Sequence, residues 1–217
     1  LNAITMTAKL LKLQGDGNQK SLDRILSSAQ RMSTMVTQLL DLTRSRLAGG
    51  IPVERKQAEL GAVISGIVDE LRAAQPGRVI RWEAPGEILG AWDAERLGQV
   101  VSNLVGNALE YGDPERPIDV QLAAGGDLAT FSVHSHGAPI APELLPVLFE
   151  PYRRGDARNA RSKGLGLGLF ITQQIVHAHE GRVEVRSTAE EGTTFTVTLP
   201  RGSRTREVVS TVGPPVS

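Results

Sequence analysis

Three glycines at alternate positions in Lys163-Gly164-Leu165-Gly166-Leu167-Gly168-Leu169-Phe170 leave a stretch of backbone bare of side chains. A ligand can therefore approach its N–H groups closely. Leu167, Phe170, Ile171, Ile175 and Ala178 recur at helical spacing, with Gln174 as a polar interruption, so the loop feeds a helix. Unpaired N–H groups and the positive end of the dipole at a helix N-terminus both favour phosphate. Taken alone, the pattern suits a glycine hinge before a core helix equally well. A second group stands upstream. Asn103 and Asn107 are four residues apart, one helical turn, on a polar flank shared with Gln99 and Glu110. Asn is a poor helix former. Its amide oxygen is a hard neutral ligand suited to Mg²⁺, which takes few protein ligands beside phosphates and water. The alternative is that both amides cap neighbouring loops.

Positioning these groups requires helices laid on a sheet. The stripe Leu97, Val100, Val101, Leu104 and Ala108 predicts a helix over 95–111, N-capped by Asp93, with the two Asn on its other flank. Before it, Leu60, Val63, Ile64, Ile67, Val68 and Leu71 predict another helix, closed by Gln75-Pro76-Gly77. Strands are expected at 53–56, at 79–83 and 88–92 around a Pro85-Gly86 turn, and as a hairpin at 118–123 and 128–133. A short helix is expected near 142–149, a polar Arg-rich loop at 150–163, and a closing hairpin at 182–187 and 193–199. The mixture implies an α+β, two-layer α/β sandwich over 49–200. Ahead of it, Leu1, Ile4, Ala8 and Leu11, a Gly15-Asp16-Gly17-Asn18 break, and then Leu22, Ile25, Ala29, Met32, Val36, Leu39 and Thr43 predict an antiparallel helical hairpin over 1–48. Leu26, Leu40 and Leu47 widen its seam beyond what one partner covers, so a homodimer through the hairpin is expected. Residues 201–217 lack apolar periodicity and read as a disordered tail.

Composition narrows the function classes. Lys+Arg and Asp+Glu both number 24 in the 217 residues, which leaves no basic surplus for a nucleic-acid partner. Cysteine is absent, so disulfide and thiolate chemistry are excluded. No apolar run is long enough to cross a bilayer, and a cytoplasmic fragment of a longer protein is expected.

In the order in which they occur, several segments resemble the boxes of sensor histidine kinases. The stretch from Gln99 through Asn103 and Asn107 to Ala108 resembles the N box, and Ser135-His136-Gly137-Ala138-Pro139-Ile140 the G1 box. Leu148-Phe149-Glu150-Pro151-Tyr152 is similar to the F box, the stretch from Gly164 to Leu169 to the G2 box, and Gly192-Thr193-Thr194-Phe195 to a G3-like element. The hairpin resembles the dimerisation and phosphotransfer domain. The resemblance implies the Bergerat ATP-binding fold and a kinase that moves the γ-phosphoryl of ATP to a histidine and on to a response-regulator receiver domain. It implies an upstream sensor domain in the parent protein. It also implies that Asn107 ligates Mg²⁺, with Asn103 ordering waters or phosphates beside it as the second catalytic residue. Tyr111, Ser135 and Gly137 would line the base side. Gly164, Leu165, Gly166, Leu167 and Gly168 would form the phosphate loop, with Thr194 nearby, and residues 150–163 a mobile lid. Arg153, Arg154 and Lys163 would be its phosphate-seeking cations.

Leu1-Asn2-Ala3-Ile4 resembles the segment that follows the acceptor histidine in that family, so the acceptor itself is expected before Leu1. The chain as given is expected not to phosphorylate itself there. His134, His136, His177 and His179 form two His-x-His pairs without a thiolate or carboxylate partner, a weak pattern for zinc. Four departures stand out. Ser135 occupies the place of an acidic or amide acceptor, Glu110 that of a lysine, and Pro139 that of a glycine. Glu180 replaces a glycine before the last hairpin, a change read as structural. A degenerate kinase serving as an interaction module is therefore the alternative. A chaperone- or topoisomerase-type ATPase of the same fold fits less well, because Asn103 stands where those carry a catalytic glutamate.

Overall fold

The computed structural model describes residues 4, 6, 19–47, 50–153 and 165–202. Ile4 and Met6 are helical, and α1 (Gln19–Leu47) is the long second helix of the expected hairpin. The expected break at 15–18 and most of the tail lie outside the described residues. After α1 the order is β1 (Lys56–Glu59), α2 (Leu60–Ala74), β2 (Ile80–Glu83), β3 (Leu89–Trp92), α3 (Ala94–Tyr111), β4 (Ile118–Gly125) and β5 (Leu128–Ser135). A 3₁₀ turn (Leu145–Val147), α4 (Gly168–Ala178), β6 (Arg182–Thr188) and β7 (Gly192–Pro200) complete it.

Five strands form one sheet in the order β2-β4-β5-β7-β6, antiparallel except for the parallel β2–β4 pair. Two expectations are corrected here. The first strand begins at Lys56 rather than at 53, and β2 and β3 do not pair across Pro85-Gly86. Instead β3 joins β1 in a separate antiparallel ribbon, Lys56 opposite Trp92, while β2 runs beside β4. The reason is the Trp92 side chain. It is buried, its indole N–H donates to Pro200 O at 2.9 Å, and that tie draws β3 to the end of β7.

Alternation along the strands decides the layers. Ile118, Val120 and Leu122, Ala129, Phe131 and Val133, and Phe195 and Val197 all point into the core. Leu60, Ile64 and Val68 of α2, Leu97 to Ala108 of α3, and Ile171, Ile175 and Val176 of α4 cover that face. The result is the expected two-layer sandwich. Glu59 fixes the start of α2, because its carboxylate accepts from the N–H groups of Gly61, Ala62 and Ile88. Burial alone would raise its pKa, but those three donors outweigh burial and hold it below the usual value.

Candidate functional site

Helix α3 carries the two asparagines. Its N-cap is Asp93, whose Oδ1 accepts from Arg96 N at 3.1 Å and whose Oδ2 accepts from Glu54 N at 2.8 Å. With the apolar stripe buried against the sheet, the polar flank turns towards α4. Asn103 Nδ2 donates to Gly168 O at 3.1 Å and lies 3.4 Å from the buried Thr172 Oγ1. Asn103 thus stitches α3 to the first turn of the helix behind the glycine loop. Asn107, one turn further on, is half-buried, and no described residue hydrogen-bonds its amide. Glu110 is exposed, so its charge is directed to solvent.

The glycine loop is described from Leu165 onward. Gly166 has φ +70°, and a Cβ there would stand 2.7 Å from Arg153 O. Its own carbonyl accepts from Tyr152 N at 2.9 Å. Glycine is required because the backbone of 152–153 lies directly on it. Leu167 is fully buried in the core and Leu165 packs against it. Their side chains therefore point away from any ligand, and only the loop's backbone can meet one. Leu165 and Leu167 can thus belong to a phosphate loop through their backbone alone. Arg154, Lys163 and Gly164 lie outside the described residues. Arg153 does not extend into the site; its guanidinium grips Glu150 Oε2 at 2.8 and 2.9 Å. Both partners are half exposed, so the pair is weak and can open for a stronger anion.

Beyond α3 an open cleft of about 540 Å³ is lined by Tyr111, Asp113, Arg116, His136 and Gly137 among others. Gly137, at φ +153°, sits where a Cβ would lie 3.0 Å from Tyr111 O, so the turn after β5 packs tightly on the end of α3. Tyr111 and Gly137 stand together at this cleft. Asn107 and Gly168 do not line this cleft. Ser135 is the last residue of β5, and its side chain is buried. Thr194 is a correction. Alternation on β7 turns it to the sheet face opposite the helices, where its hydroxyl is 3.0 Å from His134 Nδ1. It does not reach the glycine loop.

Two features were not read from the sequence. His179 is buried, with Nδ1 2.8 Å from Ile175 O and Nε2 accepting from Asp93 N at 3.0 Å. It fastens the end of α4 to the start of α3. Burial holds its pKa below the ordinary value, so it stays neutral. Arg55 closes the same corner, donating to Ala178 O at 2.7 Å and pairing with Glu180 at 3.1 Å. Glu180 itself adopts φ +59°, the conformation that a glycine would take there freely. The second feature is Asp41 of α1. It takes hydrogen bonds from Arg96 and Gln99 of α3, all at 3.0 Å. A lone carboxylate within the apolar run Leu39-Leu40-Asp41-Leu42 was the available signal.

Residues 92–203 match the family described as histidine kinase-, DNA gyrase B-, and HSP90-like ATPase, and residues 1–47 match the His Kinase A (phospho-acceptor) domain. A bacteriophytochrome of Pseudomonas aeruginosa is 34% identical over 92% of this chain and 28% of its own length. The sensor histidine kinase CusS of Escherichia coli K12 is 35% identical over 92% of this chain and 42% of its own. The chain therefore spans less than half the length of these relatives. Among solved structures, the catalytic domain of histidine kinase ThkA is similar at TM-score 0.60 and 26% identity, covering 69% of this chain and 99% of that one. Full-length ShkA in complex with AMPPNP matches at TM-score 0.71 and 23% identity, over 92% of this chain and 42% of that one, a likeness of fold. The phospho-acceptor match assigns residues 1–47 to that domain, so the chain carries part of it. The four histidines of the sequence all lie beyond that matched segment.

Proposed function

The chain belongs to the sensor histidine kinases, and on that premise we propose that it binds Mg-ATP between α3 and the glycine loop. It delivers the γ-phosphoryl group to a histidine, for onward transfer to an aspartate of a response-regulator receiver domain. The observation that carries this reading is the Asn103–Gly168 hydrogen bond, which holds the polar flank of α3 against the helix that begins in the glycine loop. Among the described residues no cluster of three or more acidic or histidine side chains could hold a metal by itself. A single amide oxygen fits Mg²⁺, which draws its other ligands from phosphates and water. Asn107 would hold the ion, which would neutralise charge on the phosphates. Backbone N–H groups at Gly166–Gly168 stand at the start of α4 and would receive phosphate oxygens. Tyr111 would lie along the base, and Arg153 would exchange Glu150 for phosphate. Phosphoryl transfer asks mainly for such positioning and charge neutralisation.

The hairpin would form a homodimer, and a sensor domain of a longer parent would act through α1. No described helix is long and apolar enough to cross a membrane; a cytoplasmic site of action is part of the proposal. Calorimetric titration with Mg-ATP tests the core of it. One-to-one saturable binding, lost in Asn107→Ala, is expected. The buried Ser135 favours a second reading, a degenerate kinase that serves as a protein-interaction module. Absence of binding up to millimolar ATP would transfer the lead to that reading.

A further inference from the structure

Ser135 ends β5 on the face that carries Phe131 and Val133, so its side chain turns to the helix layer rather than outward with His134. The residue is 9% exposed, and its hydroxyl hydrogen-bonds no described residue. Buried hydroxyls are normally paired. Among the described residues only Arg78 has side-chain atoms both sealed from solvent and unpaired, so the unpaired Ser135 Oγ reaches an open surface. Gly112, at the end of α3, leaves it uncovered: a Cβ there would stand 3.2 Å from Ser135 Cβ. Ile118 of β4 and Thr193 of β7 hold the serine backbone from both sides, so the hydroxyl is presented from a rigid strand end.

Position along α3 decides what meets this hydroxyl. From Asn103, bonded to Gly168 O, to Tyr111 at the cleft, the helix advances about 12 Å. A nucleotide whose phosphates lie at Asn107 and the glycine loop therefore brings its base to the end of α3, beside Ser135. Resting on that reading of the site, we infer that Ser135 reads the 6-position of a purine base and takes a 6-amino and a 6-oxo group alike. The 6-amino group of adenine donates, whereas the 6-oxo group of guanine or hypoxanthine accepts. A serine hydroxyl does both, but a carboxylate only accepts and selects the amine. The two acidic residues that flank this end of α3 supply no such carboxylate. Glu110 is exposed, and Asp113 is committed to its own turn, its Oδ1 accepting from Glu115 N at 2.9 Å. The ligand class is thus purine nucleoside triphosphates, not ATP alone.

Mg-ATP and Mg-ITP, which differ at the 6-position and in the N1 proton that goes with it, are titrated into the chain by calorimetry, separately and in competition. Affinities within about tenfold of one another, at one shared site, are expected. Ser135→Asp shifts the ratio towards ATP by at least about tenfold, and Ser135→Ala weakens both nucleotides by the same factor, about two- to tenfold. Three results overturn the assignment while leaving the nucleotide site standing: ITP more than about tenfold weaker than ATP in the wild-type chain, a ratio that Ser135→Asp leaves unmoved, or a Ser135→Ala variant that binds both as well as wild type. Binding of neither nucleotide to the wild-type chain removes the site itself, and the assignment with it. The wild-type ratio requires no substitution, so it decides the matter even where Ser135→Asp does not fold.

Discussion

Asp41 of α1 is 1% exposed, and both its carboxylate oxygens lie 3.0 Å from the same Arg96 nitrogen at the start of α3. Gln99 donates to the same carboxylate, and Ser45 Oγ donates to Gln174 Oε1 of α4 at 2.9 Å. With Leu42 in the core, the last turns of α1 are fastened to both helices that frame the proposed nucleotide site. Breaking one side of a buried pair strands the other charge, whereas removing both sides costs far less. Asp41→Ala should therefore destabilise the fold by about 3 kcal/mol. The Asp41→Ala/Arg96→Ala double variant should fall short of the sum of the singles by about 1–3 kcal/mol. Denaturant unfolding of the four proteins checks this, and additivity would mean the pair contributes nothing of its own.

Asn103 and Asn107 should separate into different defects. Asn103→Ala removes the tie to Gly168 O, so it should cost about 1 kcal/mol of stability and weaken ATP as well. The Asn107 side chain has no hydrogen bond to a described residue, so Asn107→Ala should leave unfolding within about 0.5 kcal/mol of wild type and remove nucleotide binding. Paired melts and ATP titrations distinguish them. Equal stability losses in both variants would show that Asn107 also serves the fold.

The helices and most strands were legible because periodicity reports burial, and α2, α3, α4 and the β4–β5 and β6–β7 hairpins bury the faces their sequences mark. The β1–β3 ribbon was not legible, because local turn residues at Pro85-Gly86 suggest a hairpin while a distant hydrogen bond from Trp92 to Pro200 decides the pairing. In the site, ordered motifs singled out Tyr111, Gly137 and Asn103, but not the hydrogen bond by which Asn103 holds Gly168 O. Thr194 was misjudged because a motif names residues but not the sheet face, which a one-residue offset reverses. The role of His179 was hidden for a related reason, since a helix end gives no sign of which distant N–H it will accept from.

His179 makes stability depend on pH in a defined direction. Burial lowers its folded pKa, with Arg55 acting the same way and Asp93 and the Ile175 carbonyl opposing. Between that lowered value and the ordinary 6.5, the unfolded chain binds a proton that the folded chain refuses. Stability should be flat above about pH 6.5 and decline as the pH falls below it, by at most about 1.4 kcal/mol per pH unit for this group. His134 adds to the slope with the same sign. Denaturant unfolding from pH 7.5 to 5 is expected to show a shallower decline for His179→Asn than for wild type. Superimposable slopes would show that this histidine is not a source of the pH dependence.

Helix α1 leaves one apolar face uncovered. Leu22 and Ala29 are buried, but Ile25, Met32, Val36, Leu39 and Leu40 remain 45 to 51% exposed at heptad-like spacing. Such a seam is what a second copy of the same hairpin would cover, and burying a side chain of this size is worth about 1.5–3 kcal/mol. The chain should therefore be dimeric by light scattering, and Val36→Glu, which sets like charges against each other across a two-fold axis, should make it monomeric. Val36 touches none of the groups assigned to nucleotide, so the monomer should keep the ATP affinity of wild type. A wild-type chain that stays monomeric at the highest concentration reached, or a Val36→Glu variant that stays dimeric, would remove α1 as the dimer seam.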